Sequence, residues 1–172
     1  LSSAALRRAR DKQSLDGAGR WLFGEGKHKD LPRRVLAALL PRLGRFGLRH
    51  PRQRNRERTA KALVAIGGKV ARRLLTAMVS GKLKPREVPP EDRVEAAGMR
   101  SFSPQKTPPR SLRKRDSPLL ERLYVLWLWA NAPKPPRRHL RRLLAKLERL
   151  PKGKDAKRIH AAIGELRKAL GT

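Results

Sequence analysis

The sequence predicts an all-α protein: short helices joined by extended basic arms, closing with a small C-terminal helical bundle that includes an antiparallel hairpin. Three observations carry this reading. The β-branched residues are few, seven Val, three Ile and four Thr, which leaves little to build strands from. Leu, Ala, Arg and Lys dominate instead, and all four lose little on entering a helix. Apolar residues also recur at spacings of three and four wherever Gly and Pro leave the chain uninterrupted.

Taken in order, Ser3 is placed to cap a short first helix reaching about Gln13, and Asp16-Gly-Ala-Gly breaks it. A second short helix is expected from Asp30, an N-cap with Pro32 in the first turn, through Val35, Leu36, Leu39 and Leu40 to Pro41. The stretch from Arg42 to Arg58 carries seven arginines and one acid, Glu57, and Gly44, Gly47 and Pro51 argue against regular helix there. It reads as an arm that an external partner must order, because its few apolar groups cannot offset ~1–2 kcal/mol of ordering entropy per residue. Residues 1–54 thus form a region of short helices and a basic arm.

The strongest periodicity follows, over Asn55–Ser80, with Leu63, Val70, Leu74, Leu75 and Met78 on one face and Gly81 as the stop. Gly67-Gly68 in its middle marks either close packing of a partner backbone, the preferred reading, or a kink in the helix. Pro89-Pro90 then opens a short helix whose acids, Glu87, Glu91, Asp92 and Glu95, complement its dipole rather than form a catalytic pair. These two helices make up a second region, 55–98, and residues 99–117 a linker rich in Pro and Arg.

The last region, 118–172, reads as a three-helix module. Ser117 caps and Pro118 opens a helix that is apolar on nearly every side, Leu119 to Ala130, and so belongs at the centre. After Pro133–Pro136 a helix carries Leu140, Leu143, Leu144, Leu147 and Leu150 on one face and Arg138, Arg141, Arg142, Lys146 and Arg149 on the other. Pro151-Lys-Gly-Lys turns the chain, and Asp155 is expected to cap a final helix with Ile159, Ala162, Ile163, Leu166 and Leu170 inward; these last two helices form the hairpin.

Charge bounds the function. Lys and Arg number 44 against 14 Asp and Glu, a formal net charge of +30, so the chain repels itself until a polyanion neutralises it. Of the 44 basic residues 29 are Arg, whose planar fork engages phosphate oxygens in pairs and stacks on bases, which favours nucleic acid. The longest apolar run, Leu123–Ala130, is far short of the ~20 residues that span a bilayer. No cysteine is present, and His28, His50, His139 and His160 show no metal-ligand spacing, so no metal or other cofactor is expected. Gly17-Ala-Gly19 and Gly24-Glu-Gly26-Lys27 are not GxxxxGK[ST], and no serine lies in a GxSxG context. An enzyme is therefore not expected, nor a small-molecule substrate.

Three segments hold the candidate phosphate contacts: Arg42, Arg45, Arg49, Arg52, Arg54, Arg56 and Arg58; then Arg110, Arg113, Lys114 and Arg115; then Arg138, Arg141, Arg142, Lys146 and Arg149. Trp21, Phe23, Phe46 and Phe102 sit in basic or glycine-rich surroundings and are candidate base-stacking residues. Aromatic content is only 4%, so recognition by shape and backbone is expected over base reading.

The start of the chain, Leu1-Ser-Ser-Ala-Ala-Leu-Arg-Arg-Ala-Arg10, is rich in Ser, Ala and Arg and has no acid before Asp11, the flavour of an organellar transit segment. With the amphipathic helices and Arg/Pro arms above, the chain resembles the lineage-specific accessory proteins of mitochondrial ribosomes. That resemblance, one of character across the whole length, implies a structural role bracing ribosomal RNA, with RNA and neighbouring ribosomal proteins as partners and a mitochondrial location. The same charge would also suit a DNA-compacting nucleoid protein, or a basic amphipathic protein on anionic membranes with the Leu140 face in lipid.

Overall fold

The computed structural model describes residues 33–87 and 106–172, and every regular element among them is helical, with no strand. The elements are α1 (Arg33–Leu48), α2 (Gln53–Ile66), α3 (Gly68–Val79), a single turn α4 (Arg110–Arg113), α5 (Pro118–Ala130), α6 (Arg137–Glu148), a 3-10 turn (Gly153–Asp155) and α7 (Ala156–Leu170). The expected first helix, the Asp30 cap, the acidic helix after Pro89 and most of the Pro/Arg linker lie outside the described residues. The described residues fall into two compact units, one of 33–74 with 85–87 and one of 75–84 with 106–172.

In the first unit the expected arm is helix. The helix does not stop at Pro41: α1 carries that proline in its interior, runs on to Leu48, and α2 begins at Gln53. An interior proline removes one backbone bond and costs ~3 kcal/mol, so packing must compensate. Leu40 and Leu48 are buried, and α1 lies against α2 with Gly44 and Gly47 at the approach. A Cβ at Gly44 would stand 2.5 Å from Leu74 Cδ1 and 3.4 Å from Leu63 Cδ2, while one at Gly47 would stand 2.3 Å from Thr59 Oγ1. The glycines read as helix breakers are thus what lets two helices meet closely.

The single helix expected over Asn55–Ser80 is two helices. Gly67 and Gly68 have φ of 68° and 86°, a left-handed conformation that ends α2 and starts α3, and no atom packs within 4 Å of where their Cβ atoms would be. Close packing at this pair is therefore overturned: the two glycines supply a break between helices. Gly81, φ 76°, ends α3 as expected, with the amide of Lys82 bonding back to the carbonyl of Ala77.

The second unit is organised by α5. Ser117 Oγ accepts from the amide of Leu120 at 3.3 Å, Pro118 fills the first helical position, and Asn131 closes the helix by donating from Nδ2 to Trp127 O at 2.8 Å. Leu123 through Ala130 are all buried, since α4, α6 and α7 each contact this helix. On α6, Leu140, Leu143, Leu144 and Leu147 are buried; on α7, Ile159, Ala162, Ile163, Leu166 and Leu170 are. Each of the larger side chains contributes about 1.5–3 kcal/mol relative to exposure. Asp155 precedes α7 but makes no capping hydrogen bond; its carboxylate lies 3.7 Å from Arg158 instead. Arg110 to Arg113, read as part of an extended linker, forms the turn α4, and Leu112 is fully buried in it.

Candidate nucleic-acid interface

In the first unit, Arg42, Arg45 and Arg49 recur at intervals of three and four on and just beyond α1, and all three are exposed. Arg52 and Arg54, at the start of α2, are exposed as well. The other two arginines of this segment turn inward. Arg56 is only 8% exposed, and its Nη1 donates to His50 O at 2.8 Å and Pro51 O at 2.6 Å, fastening the turn between the helices. Arg58 is half-buried, and its pKa is lowered by burial and by the neighbouring charge of Arg54. Phe46, a candidate stacking residue, has one ring face covered by the Arg86 guanidinium at 3.7 Å. Trp21, Phe23 and Phe102 lie outside the described residues.

In the second unit, α6 presents Arg138, Arg142, Lys146 and Arg149 along one exposed edge. None of the four forms an ion pair among the described residues, because the nearby acids are engaged elsewhere. Glu148 takes a two-pronged bond from Arg167, 3.0 Å to each oxygen, and Glu165 faces Lys168 at 3.4 Å. Arg141 is different in kind: its Nη2 and Nε donate to Leu170 O at 2.7 and 3.2 Å, so it closes the C-terminal end of α7. Arg110, Arg113 and Lys114 are exposed. Arg115 folds back, donating to Leu112 O and Arg113 O at 2.9 Å each while its guanidinium carbon sits 4.1 Å from the centre of the Tyr124 ring.

Behind the basic edge of α6 is a cleft of about 780 Å³. Leu143, Leu147 and Val79 line it together with Lys82, Arg122, Arg142, Lys146 and Arg149, and no carboxylate does. Thr76 Oγ1 and His139 Nε2 meet there at 2.8 Å, and His139 stands edge-on to Trp129 at 5.7 Å. Arg122 is masked in the sequence by its place in the most apolar helix; the signal that marks it is that it is the one basic residue of that segment. Its Nε donates to Val79 O at 2.6 Å, and burial lowers its pKa with no anion to offset the effect.

Among the described residues no three His, Asp or Glu side chains gather as a metal site would require, and no helix is long and apolar enough to cross a membrane. No family model, curated protein or solved structure matches this chain.

Proposed function

We infer that the protein is a structural RNA-binding component of a ribonucleoprotein, a mitochondrial ribosomal protein that braces ribosomal RNA through its phosphate backbone and performs no catalysis of its own. The observation that carries this reading is the α6 edge: four cations on one helix and its C-cap, without a carboxylate partner among the described residues, in a chain of formal charge +30. Such an edge is self-repelling in isolation and is stabilised when phosphates replace its counterions. Arg42, Arg45 and Arg49 form a second exposed basic row. Arg at these positions offers paired donors to phosphate oxygens, which holds a backbone in register without reading bases.

Binding to a structured RNA hairpin and to a DNA duplex of equal length, measured in competition across a salt series, tests the reading. RNA preference with affinity falling steeply with salt supports it, as does cofractionation with ribosomal subunits. Equal affinity for the DNA duplex, or binding to anionic vesicles in place of RNA, overturns it.

A further inference from the structure

The cleft beside α6 combines features that a plain phosphate-binding edge does not need. The Arg122 guanidinium lies flat against Gly81, where a Cβ would stand 3.0 Å from Nη1 and 3.1 Å from the guanidinium carbon, so the absence of a side chain at 81 makes the seat. The carbonyl of Val79 holds Nε in place, and the two terminal nitrogens have no hydrogen-bond partner among the described residues. A planar fork is thereby fixed by backbone on one side and left open on the other. Ala145 and Leu150 supply accessible apolar wall over the buried Leu143 and Leu147, while Arg142 and Arg149 add planar cations and His139 a ring. The volume lies within the ~300–1,000 Å³ typical of pockets that enclose an organic ligand.

We propose that this cleft receives a single unpaired nucleotide of an RNA strand, its phosphate on the Arg122 fork and Lys82 and its base against the aliphatic wall and the guanidinium planes of the rim. The inference rests on the RNA reading above and adds to it a preference for bulges and loops over continuous duplex. Unpaired bases are free to leave the stack and lie on guanidinium or ring faces, whereas a base within a duplex is not. The apolar wall gains from covering a base and gains nothing from a phosphate alone. An acidic peptide would satisfy the fork and the rim equally, since a carboxylate also offers a guanidinium two oxygens side by side; what favours a nucleotide is the apolar wall beside guanidinium planes, on which a base can lie.

The test uses the full chain and two RNA hairpins identical but for one bulged nucleotide. Fluorescence anisotropy is expected to show the bulged RNA bound about tenfold more tightly. The rim variant Lys146→Gln with Arg149→Gln, whose side chains are exposed and support no packing, is expected to reduce that ratio to about twofold or less. Arg122→Lys, which keeps the charge and loses the fork, should do the same. A 4-thiouridine placed at the bulge of the RNA bound to the unmutated protein is expected to crosslink to residues 139–150 or to 79–82. Equal affinity for the two RNAs, a preference that survives in the rim variant, or a crosslink elsewhere would overturn the proposal while leaving duplex binding intact. Binding to neither RNA would remove the RNA reading as well, and displacement of the bulged RNA by a poly-glutamate peptide at equal concentration would assign the cleft to a protein partner.

Discussion

Gly47 of α1 and Thr59 of α2 meet with no room for a side chain between them: a Cβ on Gly47 would lie 2.3 Å from Thr59 Oγ1 and 3.0 Å from Thr59 Cβ. The threonine cannot easily rotate aside, because its hydroxyl donates to Asn55 O at 2.9 Å. Gly47→Ala is therefore expected to destabilise the first unit by about 1–3 kcal/mol, the usual cost of overpacking. Urea unfolding followed by circular dichroism checks this. Thr59→Ala in the same chain should recover part of the loss. Gly44→Ala should cost less, since the atom it meets most closely is a terminal methyl of Leu74.

Arg141 and Arg142 are neighbours with opposite assignments. Arg141→Ala removes the donors that satisfy Leu170 O, and is expected to cost about 1–2 kcal/mol of stability while lowering RNA affinity little. Arg142→Ala should leave stability within about 0.5 kcal/mol and weaken RNA binding. Denaturation and anisotropy on the same two variants separate the roles, and equal effects on both readouts would contradict the assignment.

Arg115 lies over the Tyr124 ring and bonds two carbonyls of α4, so its loss is a structural event. Arg115→Ala is expected to lower stability by roughly 1–2 kcal/mol, with Arg115→Lys recovering only part, because an ammonium cannot repeat the flat contact. Tyr124 fluorescence is masked by Trp127 and Trp129, so thermal melts by circular dichroism are the suitable readout.

The α6 edge makes a quantitative claim about salt. If Arg138, Arg142, Lys146 and Arg149 each neutralise one phosphate, changing all four to Gln should flatten the slope of log affinity against log salt by roughly 3. A titration between low and moderate salt measures it, and an unchanged slope would show that RNA lies elsewhere on the protein.

The helical class was legible in the sequence because composition and periodicity agreed everywhere they could be compared, and α5, α6 and α7 fell where Ser117, the leucine spacing and Gly171 placed them. The two glycine pairs were read in reverse. Gly44 and Gly47 looked like breakers and are contact points, whereas Gly67-Gly68 looked like a contact point and is a break. Nothing local distinguishes these uses, because a glycine's role depends on whether another helix arrives opposite it. The candidate interface was legible in outline and not residue by residue. Arg56, Arg115 and Arg141 have the same charge as their neighbours, and only the carbonyls they bond in the fold set them apart. Arg122 was hidden by its setting among leucines and tryptophans.

The bonds that Arg56, Arg115 and Arg141 make to backbone carbonyls also have a practical meaning for anyone who wishes to discharge this molecule. A version with its exposed arginines exchanged for glutamine should stay folded and become easier to handle in solution, provided that these three, and Arg167 with its bond to Glu148, are spared. The positive charge is thus divided into a removable share and a share that the fold itself consumes.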